Sequence, residues 1–165
     1  MRYLVFTFIL ACLVSCIGGK SKPVQFYTLD VQGSSDFKLY VREVSSGANI
    51  HERITLKSGS SIELMEFDRW EESPRRLVEV EMKNYFDLGG QEIRTELNEF
   101  IFDLKNKEAR VSMDCVFLKE DNTRKFFRVK SSEVFEDDDA ASLTQAMSKA
   151  LTKLFVKMDH KLNEL

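Results

Sequence analysis

The strongest constraint on the fold is a long amphipathic pattern near the end of the chain. Between residues 139 and 162, apolar residues recur at intervals of three and four, the spacing of one helical face. These residues are Leu143, Met147, Ala150, Leu154, Met158 and Leu162. A helix with a single apolar stripe buries that stripe against another layer, so the rest of the chain must supply the facing surface.

Most of the remaining chain has the pattern of strands. Seven segments alternate with period two or are rich in aromatic and β-branched residues, which predicts strands. They are residues 25–31, 37–44, 50–56, 61–67, 94–104, 109–118 and 123–130. Between the fourth and fifth strands, Ser73 is expected to cap a second amphipathic helix that begins at Pro74 and ends at Gly89 and Gly90.

This order of elements predicts an α+β fold. We expect a two-layer sandwich with a largely antiparallel sheet and two amphipathic helices packed on one of its faces. The apolar fraction of 43% and the charged fraction of 31% are typical of an ordinary globular domain. The sequence therefore predicts one α+β domain over residues 24–165.

The first residues predict a leader that is removed. Arg2 precedes an apolar run over residues 3–14, shorter than the roughly 20 residues that span a bilayer. The run ends in Leu13-Val14-Ser15-Cys16, which resembles the bacterial lipobox. The alternative for such a run is a buried strand or a core helix, which the lipobox pattern makes the weaker interpretation.

The lipobox resemblance implies a lipid anchor. Residues 1–15 would be a lipoprotein signal peptide, and Cys16 would become the mature N-terminus, an S-diacylglycerol and N-acyl cysteine. Residues 16–23 would then form the lipidated cysteine and a flexible tether. Ile17, rather than Asp, follows Cys16, and by resemblance to enterobacterial sorting this implies the outer membrane, with the domain facing the periplasm.

The cysteines agree with that interpretation. Cys12 would leave with the leader and Cys16 would become a thioether, so Cys115 would be the only thiol and no intrachain disulfide could form. Cys115 lies in an apolar strand pattern. We therefore favour a buried, inert thiol over a nucleophile.

Other candidate site residues have ordinary structural interpretations. His51 and His160 are far apart without a paired ligand motif, so we expect surface residues and no metal site. The acidic run 136–139 precedes the last helix without calcium-loop spacing, which favours capping over cation binding. Trp70, the only tryptophan, is interpreted as a hydrophobic anchor at a strand-to-helix corner, with an exposed partner-binding hot spot as the alternative.

Charge argues against nucleic acid as a partner. The net charge is -3, and removal of Arg2 with the leader would leave about -4. One segment does mix basic and aromatic residues, but the strand period should split them between two faces. Its members are Lys125, Phe126, Phe127, Arg128 and Lys130.

Four segments together resemble a known family. Phe26-Tyr27-Thr28-Leu29 is similar to the opening of the ABC-type transport auxiliary lipoproteins, and residues 67–74 are similar to their tryptophan-proline corner. Asn98-Glu99-Phe100 resembles their acidic-phenylalanine element, and residues 139–151 resemble their alanine-rich final helix. These are outer-membrane lipoproteins of the paraquat-inducible type, which pair with MCE-domain (mammalian cell entry) proteins.

The resemblance implies a non-enzymatic role without catalytic residues, and no motif in the sequence predicts a cofactor or a metal. The expected function is that of an auxiliary or docking component of an MCE-type ABC lipid transport system between the two membranes. Its expected partners are an MCE-domain membrane protein with its ABC transporter and, through Cys16, the outer membrane. A second copy of the same chain, in a homo-oligomer, is a further partner that the sequence allows. The alternatives are a structural lipoprotein of another envelope machine, for secretion or lipopolysaccharide export, and, third, an enzyme.

Overall fold

The computed structural model describes residues 22–165, which form eight strands and two helices. The expected signal peptide and Cys16 lie outside the described residues. The strands are β1 (Gln25–Tyr27), β2 (Ser35–Ser46), β3 (Arg53–Ser58), β4 (Ser61–Trp70), β5 (Phe86–Leu88), β6 (Gln91–Asp103), β7 (Glu108–Leu118) and β8 (Arg124–Val134). The helices are α1 (Pro74–Tyr85) and α2 (Ala140–Asn163). Neither helix is long and apolar enough to cross a membrane.

The eight strands form one mixed sheet in which β6 is the central strand. One edge of β6 pairs along its length with β7, and β7 pairs with β8, both antiparallel. β2 and β3 both pair with β6 in parallel, β2 with its first half and β3 with its last residues. β5 joins β2 and β1 joins β4 in parallel, whereas β3 and β4 form an antiparallel hairpin.

The α+β class is therefore confirmed, but the expectation of a largely antiparallel sheet is wrong. The sheet has a half-barrel curl, and four of the seven pairings just described are parallel. Parallel partners need a long connection, and here one connection carries α1 between β2 and the strands β5 and β6. The two-layer arrangement remains a prediction.

One face of the sheet carries the hydrophobic core. The register aligns Val41, Ile93 and Phe117 across β2, β6 and β7, and it pairs Leu97 with Met113. All five side chains are buried. Both helices add to the same core, and every residue of the apolar stripe that predicted α2 is buried in it.

The first helix ends earlier than expected. Its last residue is Tyr85, and Phe86 begins β5 instead of continuing the helical stripe. Phe86 is buried and packs against Phe155 of α2 with ring centroids 6.0 Å apart. Gly89 and Gly90, expected to end the helix, instead form the turn from β5 to β6 with φ angles of 120° and 71°.

The first strand is also shorter than expected, because its continuation binds α2. β1 ends at Tyr27, and the backbone amides of Asp30 and Gln32 donate to the hydroxyls of Ser148 and Thr152, each at 3.1 Å. An amide that is bonded to a helix side chain cannot also join a strand ladder. The predicted strand over residues 25–31 therefore exists only in its first three residues.

The helix starts follow the sequence. Asp139 caps α2, since its Oδ1 accepts hydrogen bonds from the amides of Ala141 and Ser142, which confirms capping by the acidic run. Ser73 occupies the N-cap of α1, and Pro74 lies in its first turn. The carbonyl oxygen of Ser73, not its side chain, accepts hydrogen bonds from the helix amides of Arg76 and Leu77.

The edge strand β8 is partly closed by α2. Lys157 Nζ donates to the carbonyl oxygen of Lys130 at 3.0 Å, and Lys161 Nζ donates to that of Arg128 at 3.2 Å. β8 pairs on its other side with β7. The two lysines thus satisfy backbone acceptors on the side of β8 that has no neighbouring strand.

Candidate docking surface

The helices leave the opposite side of the sheet uncovered. We call this side of β2, β6, β7 and β8 the outer face. Because side chains alternate along a strand, the residues between the core positions all point to it. The part of the outer face near the start of β6 comprises Tyr40, Arg42, Glu92, Arg94, Glu96, Asp114, Val116, Leu118, Arg124, Phe126 and Arg128, and Lys130, Ser132 and Val134 continue the face along β8.

The apolar part of the outer face lies where β7 and β8 meet. The register places Arg94, Val116 and Phe126 in one row across the sheet. Phe126 is 73% exposed, the most exposed of the large hydrophobic side chains in residues 22–165. Covering such a ring would contribute about 2 kcal/mol to binding a partner.

A shallow cavity opens in this part of the face. It has a volume of about 210 Å³ and is lined by an apolar floor with charged side chains around it. The lining residues are Glu92, Arg94, Val116, Leu118, Arg124 and Phe126. A partner that inserts an apolar side chain here would meet a preformed depression rather than a flat sheet.

The charges around the cavity are organised by two ion-pair groups. The carboxylate of Glu92 accepts hydrogen bonds from Arg42 at 2.9 Å and from Arg94 at 2.8 Å. These hydrogen bonds hold the pKa of the Glu92 carboxyl below its usual value, and the bond from Arg42 has the larger effect. Arg128 donates hydrogen bonds to both carboxylate oxygens of Asp114, at 2.5 and 2.6 Å, and these bonds lower the pKa of Asp114. Such bidentate pairs hold the arginine in a fixed orientation.

The arrangement leaves a positive excess beside the apolar floor. Glu92 is shared by two arginines, and Arg124, which also lines the cavity, forms no ion pair with any residue between 22 and 165. A complementary partner surface would therefore combine apolar side chains with carboxylates.

Sequence reasoning did not identify this surface, although its signal was present. The basic and aromatic residues of β8 do split between two faces, as expected, with Phe127 toward the core and Phe126 outward. The outward set, Arg124, Phe126 and Arg128, is the part that matters, and its period of two was visible in the sequence. The sequence does not show which side of the sheet the helices cover.

Other predicted residues lie away from the outer face. Trp70 is only 3% exposed and packs edge-on against Phe100 at 5.2 Å, which confirms the anchor over the hot spot. Cys115 is buried, and burial raises the pKa of its thiol to about 12, as expected for an inert cysteine. His51 and His160 are both exposed, as expected.

The described residues offer no grouping that would hold a metal ion. Within residues 22–165, no three His, Cys, Asp or Glu side chains come together in such a cluster. The resolved carboxyl pKa shifts near the outer face come from ion pairs, as at Glu92 and Asp114. The arrangement is suited to recognition by shape and charge.

Comparison with known proteins gives the fold alone. No protein-family model and no curated protein matches the chain. The crystal structure of an uncharacterised protein aligns with a TM-score of 0.71 at 6% identity, covering 86% of this chain and 99% of that one. The crystal structure of a Xanthomonas campestris protein of the family DUF330 aligns with a TM-score of 0.64 at 13% identity, covering 85% and 99%.

A further structure aligns less well. It is that of a Caulobacter crescentus protein described as a candidate lipoprotein, with a TM-score of 0.35 and 12% identity over 65% of this chain and 86% of that one. A score this low supports no conclusion. Over the aligned residues, the chain therefore shares its fold with the DUF330 protein.

Proposed function

We propose that this protein is a periplasm-facing lipoprotein of the outer membrane that acts as the docking component of an MCE-type ABC lipid transport system. Cys16 carries the lipid anchor, and the domain over residues 24–165 receives the MCE protein. Its role is tethering and recognition, and it has no catalytic activity of its own. In this proposal the MCE protein and its ABC transporter, not this domain, carry the lipid between the membranes.

The observation that carries the docking role is the uncovered outer face. It combines an exposed aromatic ring, Phe126, with a depression beside it and an arginine, Arg124, that lacks an ion-pair partner within residues 22–165. Exposed apolar area with ordered charges around it is the usual composition of a protein-binding site. The partner segment that fits it is apolar with flanking carboxylates.

The segments that resemble the transport auxiliary family support the proposal by their position. Residues 67–74 form the end of β4 and the corner before α1, with Trp70 buried at that corner. The alanine-rich segment becomes the first half of α2, where Ala140, Ala146 and Ala150 are buried. These two segments thus contribute to the core and lie outside the outer face.

Site-specific photo-crosslinking tests the docking role. A photoreactive phenylalanine analogue at Phe126 is expected to crosslink an MCE-domain protein in intact cells. The same analogue at Val156, which is 40% exposed and lies on α2 rather than on the outer face, is the matched control. Equal crosslinking from both positions, or none from Phe126, would refute the outer face as the docking site.

Affinity purification separates the proposal from its rival. Wild-type protein purified from detergent-solubilised membranes should retain an MCE protein and its ABC transporter, and Phe126→Asp should lose them while Phe126→Leu retains them. Recovery of secretion or lipopolysaccharide-export components without an MCE protein would favour a structural subunit of another envelope machine.

A further inference from the structure

The β3–β4 hairpin exposes apolar side chains near its tip. Gly59 and Ser60 connect the two strands, and Gly59, with φ of 62°, occupies the position where a type II′ hairpin turn takes glycine. Ile62 and Leu64 follow in β4 and lie on one face of it, because they are two residues apart. Ile62 is 54% exposed and Leu64 is 38% exposed.

The chain before β1 runs toward this tip. β1 is parallel to β4, with Gln25 opposite Asp68 and Tyr27 opposite Trp70. Residues that precede Gln25 therefore head along β4 in the direction of Ser61, the first residue of β4.

Lys22 keeps the start of the described chain close to β4. Its Nζ lies 5.8 Å from the centroid of the Phe67 ring and 4.0 Å from Asp68 Oδ2. Both partners belong to β4. The side chain of Lys22 therefore lies beside β4, three residues before β1 begins.

The tether is long enough to reach the hairpin tip. Nine residues separate Cys16 from Gln25, and a fully extended chain of that length spans at most about 30 Å. Seven residues separate Asp68 from Ser61, which corresponds to roughly 23 Å of strand. A tether that runs along β4 is therefore about 7 Å longer than this path, so it can bring Cys16 to the level of the hairpin tip.

We propose that the tip of the β3–β4 hairpin is the membrane-facing end of the domain, and that Ile62 and Leu64 enter the interfacial layer of the lipid surface to which Cys16 is anchored. This inference rests on the proposed anchor at Cys16. Lys57 pairs with Ile62 across the hairpin, so its ammonium group lies beside the apolar pair, where it can reach lipid headgroups.

The same orientation directs the docking surface away from the membrane. Lys57 is opposite Asp103 at the end of β6, whereas Glu92, near the start of β6, is in one row with Leu118 and Arg124. Eleven residues of strand, roughly 36 Å, separate these two ends. With the hairpin on the lipid, the cavity at Arg124 would be presented to a partner in the periplasm.

Fluorescence quenching by brominated lipids tests the orientation. The mature chain from Cys16, which contains every element described, is coupled through Cys16 to a maleimide lipid in phosphatidylcholine vesicles with brominated acyl chains. Cys115 is buried and does not compete for the maleimide. The variants are Ile62→Trp and Leu64→Trp, with Leu88→Trp as the matched control, because Leu88 is 71% exposed and pairs with Leu39 near the opposite end of β6.

The two hairpin variants should be quenched several-fold more strongly than Leu88→Trp, with emission shifted to the blue. Native Trp70 is buried and gives the same background in every sample. Equal quenching at the hairpin and at Leu88 would overturn the proposed orientation. Mass spectrometry of Cys16 in protein from cells tests the anchor separately: an unmodified Cys16 refutes the anchor, whereas an acylated Cys16 with equal quenching refutes only the orientation.

Discussion

Leu154 is the position at which the packing of α2 can be tested most directly. Its side chain is completely buried among the core residues that α2 shares with the sheet. Leu154→Ala removes three carbon atoms, which costs about 2.4 kcal/mol of transfer free energy at about 0.8 kcal/mol each. The cavity that remains adds about 1 kcal/mol, so the free energy of unfolding should fall by roughly 3–4 kcal/mol.

Urea unfolding followed by tryptophan fluorescence measures this loss. Trp70 is the only tryptophan, and it is buried against Phe100 and Phe102, so its emission reports on loss of the core. Val156→Ala is the matched control on the same helix, because Val156 is 40% exposed and its truncation should change stability by less than about 0.5 kcal/mol. A loss at Leu154 no larger than that of the control would show that the buried face of α2 is assigned wrongly.

Three further outcomes are expected. Cys16→Ala should give unprocessed or soluble protein without fatty acid, measured by mass spectrometry and membrane fractionation. The pKa of the Cys115 thiol is raised from 9.0 to about 12, so the folded state keeps a proton that the unfolded state releases. The contribution of this thiol to stability should be intact below pH 9 and fall by up to about 1.4 kcal/mol per pH unit up to about pH 12. In urea titrations, Cys115→Ala should therefore lose stability less steeply than wild type over this range, although Tyr27 and Tyr85, whose pKa values are also raised, keep part of the slope. Gly90→Ala should destabilise more than Gly59→Ala in thermal melts: both have positive φ, worth about 1 kcal/mol, but only at Gly90 would the new Cβ lie 2.3 Å from the Lys38 carbonyl oxygen.

Features set by local sequence were predicted well. The apolar period predicted a helix over residues 139–162, and α2 extends over Ala140–Asn163. Its cap at Asp139 depends on residues that are two and three positions away. The burial of Cys115 followed from the apolar segment around it, and that of Trp70 from its place at the corner between a strand and a helix.

Features set by distant partners were not predicted. Leu39 of β2 pairs with Gln91 of β6 in parallel, and nothing local to either strand specifies that partner or that direction. Phe86 continues the helical stripe of α1 in sequence, but pairing with β2 makes it a strand residue. The outer face was missed for the same reason, since which side of β8 stays uncovered is decided by where α2 packs.

The two lysines of α2 that bond to β8 limit how another protein can attach to the sheet. Proteins often bind by adding a strand to an open edge, with the backbone itself as the recognition element. Here the ammonium groups of Lys157 and Lys161 occupy carbonyl oxygens that an added strand would need. At this edge, β-augmentation and edge-to-edge aggregation both require these lysines to be displaced first. Recognition on this side of the molecule therefore falls to side chains, which can be selective for one partner where a bare backbone would accept many.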